Sequence, residues 1–359
     1  MCGIFGLISS GKKVQKRQLS KIIDMLAHRG PDSAGSWISK DCSVGLGHRR
    51  LSILDLTNNG AQPMESTSGR YVITFNGEIY NFKKLRQELE NLNVTFRGHS
   101  DTEVILTAID NWGINTTLNR LRGMFAIGVW DNQEKALILA RDRVGIKPLY
   151  YGFGKNGFCF SSELKPMVIW QGEMPQVSSS GLTEFLRFGY VPAPLSIFQD
   201  TYKLLPGHSV IFCNGKLEKP QPFWELGDII KKGVSNPIID QNEALKALEL
   251  GLQKSVSSHM ISDVPLGAFL SGGVDSSLVT SMMQSMSNQP VNTFSIGFFE
   301  KGFNEAKHAA SVAHHLGTSH TELYLTNKDA QDIIPTLPKM YDEPFADQSQ
   351  IPTFLVSSL

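Results

Sequence analysis

The chain has little cysteine for its 359 residues: four, at Cys2, Cys42, Cys159 and Cys213. They lie far apart, form no C-x-x-C pair and cannot build a dense disulfide frame, so a reducing cytoplasm is the simplest compartment. Excess charge of either sign is missing too, because 34 Lys plus Arg balance 34 Asp plus Glu. That leaves no global basic field for a nucleic acid and no polybasic segment for an anionic membrane. No run approaches the roughly 18 apolar residues of a membrane-spanning helix, so no membrane partner is expected. The apolar start "CGIFGLI" lacks a basic flank and is too short for a signal peptide. Its glycine stands at position 3, whereas myristoylation needs one at position 2. Internal repeats and low-complexity tracts are absent.

The length predicts two domains, since single cores stop growing at roughly 250 to 300 residues. The first 220 or so residues read as strand-rich with two or three helices. "YVITFNGEIYN" alternates as a strand and is expected to break at Asn76-Gly77, a turn dipeptide. "FKKLRQELENL" places Leu85, Leu89 and Leu92 at helical spacing, and "TEVILTAIDNWG" is a second helix stopped by Gly113. The short strands "MFAIGVWD", "ALILARD", "LYYGF" and "FCFSSE" suit a pair of stacked antiparallel sheets. Three prolines and two glycines in 219–237 mark a linker between a domain at 2–218 and a second at 238–359. Beyond it helix and strand alternate. "NEALKALELGLQKSVSSHM" puts Leu245, Leu248, Leu252 and Val256 on one helical face, and "VPLGAFL" reads as a buried strand. This βαβα order predicts a doubly wound parallel sheet, which binds ligands at the carboxyl ends of its strands.

"SGGVDSS" follows such a strand and opens a helix. Gly272 and Gly273 let backbone N–H groups approach an anion, Ser271, Ser276 and Ser277 add hydroxyls, and the helix N-terminus adds its dipole. The loop lacks the lysine of a Walker A motif. Asp275 inside it would repel phosphate unless a cation intervenes, which points to Mg²⁺ bridging Asp275 and a pyrophosphate.

"MCGIFG" sets a cysteine at the second position. A thiol has a pKa of about 8.5 and needs a base to act as a nucleophile. If Met1 is removed, Cys2 carries an α-amine with a pKa of about 7.7–8.0, and that amine can take the proton. Such a site also needs an oxyanion hole, and Asn76-Gly77 offers a side-chain amide and a backbone N–H. An amino-acid substrate needs a cation for its carboxylate and an acid for its ammonium, for which Arg50, Glu78 and Asp101 are available.

These motifs occur in order with others: "MCGIFG", "HRGPD" (28–32), "GHRRLSILD" (47–55), "FNGEIYN" (75–81), "GHSDTE" (98–103), "RDRVGIKPLYY" (141–151) and "SSELKP". Together they resemble the class II glutamine amidotransferases, and within them the glutamine-hydrolysing asparagine synthetases. "LSGGVDSS", "TFSIGF" and "YDEPFADQSQIPT" resemble the synthetase half, whose first loop is that of the N-type ATP pyrophosphatases. The resemblance covers essentially the whole chain. It implies an αββα N-terminal nucleophile hydrolase sandwich followed by an α/β ATP pyrophosphatase domain. It further implies that Cys2 is the glutaminase nucleophile and that Asn76 and Gly77 form the oxyanion hole. Arg50 rather than Arg49 would bind the glutamine carboxylate, and Glu78 and Asp101 its amino end. Leu270, Ser271, Gly272, Gly273, Val274, Asp275, Ser276 and Ile296 would surround ATP, with Asp275 on Mg²⁺. The substrates implied are glutamine, aspartate and ATP, with ammonia passing between the two sites. A homodimer is one assembly the resemblance allows.

Family members continue past "IPTFLVSSL" into a second glycine- and acid-rich motif, so this chain is expected to hold the glutaminase half and only the first part of the ATP half. Asp342, Glu343 and Asp347 read equally as lining of the ATP site or as a solvated loop. His28 and His99 read as hydrogen-bonding scaffold. Two other readings stand beside the main one: an amidotransferase for another carboxylate, such as a uronic acid of surface polysaccharide, and a non-catalytic glutamine- or nucleotide-sensing module.

Overall fold

The computed structural model describes residues 1–299 and 304–358. The chain divides into two compact units, one made of Met1–Ser235 with Asp342–Phe345, the other of Asn236–Tyr341 with the residues that follow Phe345. The stretch read as a linker holds a short strand, Gln221–Pro222, and an exposed helix, Leu226–Ser235.

The first unit contains two antiparallel sheets. In spatial order one has Thr201–Lys203, Tyr150–Gly154, Gly157–Ser161, Gly3–Ser9, Val44–Arg50 and Ser33–Ile38. The other has Lys216–Leu217, His208–Cys213, Ala136–Arg141, Gly123–Asp131, Tyr71–Ile79 and Met64–Glu65. The alternation of a strand decides which layer each side chain enters. Ile4, Val44 and Leu46 of the first sheet meet Val72, Ala126, Leu137 and Leu139 of the second. Phe5 and Leu7 face the other way, onto Leu19, Ile22 and Ile23 of the helix Lys16–Asp24 and onto Leu164 and Met167. The helices Phe82–Glu90 and Asp101–Trp112 pack beside the second sheet. The result is the αββα sandwich. Close approach requires glycine at Gly6, where a Cβ would stand 2.2 Å from the Phe160 ring.

The helix Asp101–Trp112 starts at Ser100, whose hydroxyl accepts from Glu103 N at 3.3 Å, and stops at Gly113, as its sequence predicts. Leu92 does not share the buried face of Leu85 and Leu89. The helix ends at Glu90 and Leu92 is 56% exposed. Asn76-Gly77 is not a turn either: Tyr71–Ile79 runs through it, with Asn76 opposite Ala126 and Gly77 opposite Phe125. The pairing strand overrides the turn preference of the dipeptide. Asp342 and Glu343 fit neither expectation made for them. Asp342 accepts from Lys165 N at 3.0 Å and pairs with its Nζ at 2.5 Å. Glu343 accepts from Ile197 N at 2.8 Å and Tyr150 Oη at 3.1 Å, and pairs with Lys203 Nζ at 2.5 Å.

The second unit has a parallel sheet of Gly267–Phe269, Asn292–Phe298 and Ser319–Leu325, joined through the helices Val274–Ser285 and Ala306–Leu316. The strand read as buried is an edge strand with Phe269 56% exposed, although Leu270 just beyond it is buried. Of the four residues on one face of the helix Gln241–His259, only Val256 is buried. It packs with Met283 and Val291, and the described residues place no layer over Leu245 and Leu248. No helix among the described residues is long and apolar enough to cross a membrane.

Leu139 is buried between the two sheets. Leu139→Ala should lower the unfolding free energy of the first unit by about 2–5 kcal/mol, read by chemical denaturation; a loss under ~1 kcal/mol would contradict the sandwich core.

Candidate active site

A cavity of about 260 Å³ in the first unit is lined by Cys2, Arg50, Asn76, Gly77, Glu78 and Asp101, together with Gln62, Met124 and Lys147. All six residues expected at one site thus share it, although they come from four separate segments.

Cys2 immediately precedes the strand Gly3–Ser9, which is paired on both edges. Ile4 N donates to Ser162 Oγ at 3.1 Å and Ser162 N donates to Ile4 O at 3.0 Å. Arg29 Nε donates to the Cys2 carbonyl at 3.1 Å while its Nη1 holds Glu163 at 3.0 Å. A Cβ on Gly3 would lie 2.7 Å from Leu26 Cβ, so only glycine lets the terminus lie this close to the first helix turn. The Cys2 sulfur accepts from Leu51 N at 3.4 Å. Burial pushes its thiol pKa up, so the resting group is a thiol and needs a base.

Arg50 ends the strand Val44–Arg50. Its guanidinium donates to Thr57 O at 2.9 Å, Leu54 O at 3.3 Å and the Asp55 carbonyl. Asp55 folds this loop: its carboxylate takes Thr57 N at 3.2 Å, Thr57 Oγ1 at 2.5 Å and His99 N at 2.9 Å. Arg49 points elsewhere, donating to Gly30 O at 3.0 Å. The alternation of the strand therefore places Arg50, and not Arg49, in the cavity.

Asn76 and Gly77 lie in the middle of the strand Tyr71–Ile79. Both amide atoms of the Asn76 side chain are buried and have no hydrogen-bond partner among the described residues. A Cβ on Gly77 would stand 2.0 Å from Met124 O, so the neighbouring strand demands glycine here. Asp101, the first residue of its helix, accepts from Ile79 N at 2.9 Å. Burial, helped by the charge of Glu78, raises its pKa to about 7 against the hydrogen bond that lowers it.

The sequence reading missed Arg29, Glu163, Gln62 and Lys147. Gln62 bridges Phe75 N at 2.7 Å and Thr102 Oγ1 at 3.1 Å, which ties the Asn76 strand to the Asp101 helix. Arg29 and Lys147 stood inside motifs already quoted, "HRGPD" and "RDRVGIKPLYY". His28 and His99 sit on scaffold bonds: His28 Nε2 lies 2.9 Å from Glu163 Oε1, and His99 N donates to Asp55.

In the second unit the loop after Gly267–Phe269 is closed on itself. Ser271 Oγ and Ser276 Oγ are 2.9 Å apart, Ser276 Oγ accepts from Ser271 N at 3.2 Å, and Ser271 Oγ accepts from Gly273 N at 3.3 Å. Gly272 has φ 80, and a Cβ there would meet Ala309 N at 2.7 Å. Gly273 caps the helix Val274–Ser285, and Asp275 stands exposed in its first turn. Asp275 and Ser276 also line a cavity of about 520 Å³ with Phe269 and Met283. Leu270 is buried behind the loop, Val274 is exposed, and Ile296 lies in the middle strand. Among the described residues no three His, Cys, Asp or Glu converge to hold a metal.

The glutamine amidotransferase domain family matches residues 1–224. The first unit is accordingly a glutamine amidotransferase domain. The asparagine synthase family matches residues 247–359. Among the relatives, the putative asparagine synthetase [glutamine-hydrolyzing] 2 of Methanocaldococcus jannaschii is 36% identical over 100% of this chain and 72% of its own. The asparagine synthetase [glutamine-hydrolyzing] 1 of Bacillus subtilis is 34% identical over 99% of this chain and 55% of its own. The amidase chry2 of Gibberella zeae is 32% identical over 80% of this chain and 44% of its own. The chain belongs to the glutamine-hydrolysing asparagine synthetase family, and it spans between 44% and 72% of the length of these relatives.

Asp101 should be visible directly. Carbon-13 NMR of aspartate-labelled protein should show one carboxyl titrating near pH 7, absent in Asp101→Asn. A midpoint at or below 4 would mean that burial does not govern this group.

Proposed function

We propose that the chain hydrolyses glutamine at Cys2 and is an amidotransferase that supplies the released ammonia to aspartate activated by ATP. The observation that carries the glutaminase half is the unpartnered Asn76 amide on the wall of the Cys2 cavity. A buried amide without a partner is costly unless a ligand completes it.

With Met1 removed, the Cys2 nitrogen becomes a free α-amine and takes the thiol proton. The sulfur attacks the side-chain carbonyl carbon of glutamine. The carbonyl oxygen becomes an oxyanion, to which Asn76 Nδ2 and Gly77 N–H donate. The C–N bond then breaks, the ammonium form of the amine returns its proton to the leaving nitrogen, and ammonia departs. Water attacks the Cys2 thioester by the same route, releasing glutamate and restoring the thiol. Arg50 would receive the substrate α-carboxylate, and Glu78 and Asp101 its α-ammonium.

In the second unit the Ser271–Ser276 loop would receive the pyrophosphate of ATP, with Leu270 and Ile296 beside the nucleoside and Asp275 toward Mg²⁺. ATP supplies the adenylate that makes the aspartate side-chain carboxylate electrophilic. Ammonia displaces AMP, giving asparagine. A cytoplasmic enzyme with free Cys2, Cys42, Cys159 and Cys213 fits this chemistry.

Cys2→Ala should abolish glutamate formation from glutamine, and Asn76→Ala should lower kcat about 10²- to 10³-fold. Protein that retains Met1 should be inactive by the same assay, with N-terminal sequencing as the check. Below pH ~7 Asp101 becomes neutral and loses its attraction for a substrate ammonium, so KM for glutamine should rise as pH falls through 7. Aspartate-dependent pyrophosphate release decides the acceptor. If another carboxylate supports it and aspartate does not, the asparagine reading is wrong and the glutaminase reading stands.

A further inference from the structure

Lys147 is the charged group in the Cys2 cavity to which the mechanism above gives no task. It is only 4% exposed. Among the described residues its Nζ makes no hydrogen bond or ion pair. Burial lowers its pKa, and the charge of Glu78 in the same cavity works against that shift. Its backbone is held firmly. Lys147 N donates to Asp142 Oδ2 at 2.9 Å and Lys147 O accepts from Arg141 Nε at 2.7 Å. The same Asp142 carboxylate takes the N–H groups of Phe125 at 3.1 Å, Val144 at 3.2 Å and Ile146 at 2.9 Å. The loop after the strand Ala136–Arg141 is therefore fixed by one buried carboxylate, and the side chain it delivers to the cavity is a cation.

We infer that Lys147 is a positioning residue of the glutaminase site, whose ammonium sets the charge around the Cys2 amine and thiol and so fixes the pH at which that pair becomes reactive. The inference rests on the glutaminase reading. The other charges at this cavity are Arg50, Glu78 from the Asn76 strand and Asp101 from the helix after Ser100, with Arg29 bonded to the Cys2 carbonyl. Glu163 is engaged by Arg29, and Asp142 by backbone N–H groups. Glu78 and Asp101 favour a protonated amine and a protonated thiol. Lys147 opposes both, because a nearby positive charge disfavours an ammonium and favours a thiolate. With Met1 in place, burial lowers the pKa of the Met1 amine, and Arg29 and Lys147 push in the same direction; the Cys2 amine freed by its removal lies in the same cavity. Glutamine brings an ammonium of its own toward Glu78 and Asp101, so in the complex the balance shifts further toward the free base.

The test is the pH profile of kcat for glutamine hydrolysis at saturating glutamine, where Asp101 is held ionised by substrate and the acid limb reports the amine. Lys147→Met should move that limb upward by about half to one pH unit. Lys147→Arg should return it close to the parent. Alkylation of Cys2 by iodoacetamide in substrate-free enzyme should shift the same way, and Lys147→Gln serves where the methionine variant is insoluble. A limb that stays in place while kcat falls evenly, or an arginine variant as impaired as the methionine one, would overturn the inference and leave a packing role. Hydrolysis surviving Cys2→Ala would instead overturn the reading beneath it, so the two failures are told apart.

Discussion

The bond from the Arg29 guanidinium to the Cys2 carbonyl, at 3.1 Å, is the constraint on which the site depends. Chain termini are ordinarily the loosest part of a domain. A nucleophile that carries its own base must sit at one, so the terminus has to be held by something other than chain on both sides. Arg29 does this while anchored to Glu163, and Glu163 follows Ser161 and Ser162, whose hydroxyls and backbone grip Ile4. Two segments distant in sequence therefore converge on the first four residues. The strand Gly3–Ser9 continues the same task inward, with Ile4 in one core and Phe5 in the other.

With the terminus fixed, the remaining problem is charge. The cavity collects Arg50, Lys147, Glu78 and Asp101 within a small volume. Each is expensive to bury alone. Arg50 is stabilised by three carbonyls of its own loop, so its charge is shared without being neutralised by a carboxylate. Asp101 has one backbone donor and a helix N-terminus, and burial still brings its pKa to about 7. The charges of the site thus compensate one another incompletely, which is what the zwitterionic substrate proposed above would use. That asymmetry favours a ligand carrying both charges over one carrying either.

Much of this was legible in the sequence because it resides in motifs with local meaning. Cys2, the glycine-serine loop and the helix "TEVILTAIDNWG" stopped by Gly113 were identifiable from residue chemistry, and the choice of Arg50 over Arg49 came with the family resemblance. What escaped was everything set by pairing across the fold. Asn76-Gly77 carries a strong turn signal, yet the strand Gly123–Asp131 pairs through it. The signal was right that glycine is needed and wrong about why: the need is a close approach to Met124 O, not a reversal of direction. Asp342 and Glu343 look like acids of an exposed loop, but their partners Lys165 and Lys203 lie more than a hundred residues earlier and no local pattern announces them. The leucines of Gln241–His259 repeat at helical spacing as predicted; periodicity identifies an apolar face and says nothing of what covers it.

The Asn76 amide joins these strands of reasoning. An asparagine in the centre of a strand has ordinary alternatives: it can bond a neighbouring backbone group or turn toward solvent. Here it does neither, since both its polar atoms are buried without partners. Leaving such a group unsatisfied costs roughly 1–3 kcal/mol, a sizeable fraction of a domain's net stability. The strand pairing on either side fixes the backbone, so the side chain cannot escape by local rearrangement. A donor held at that cost before any ligand arrives needs no reorganisation when an oxyanion forms, and that is the condition under which a single hydrogen bond contributes most to a transition state. In the glutaminase reading proposed above, the same rigidity that makes Asn76 a liability to the folded protein is what would make it useful beside Cys2.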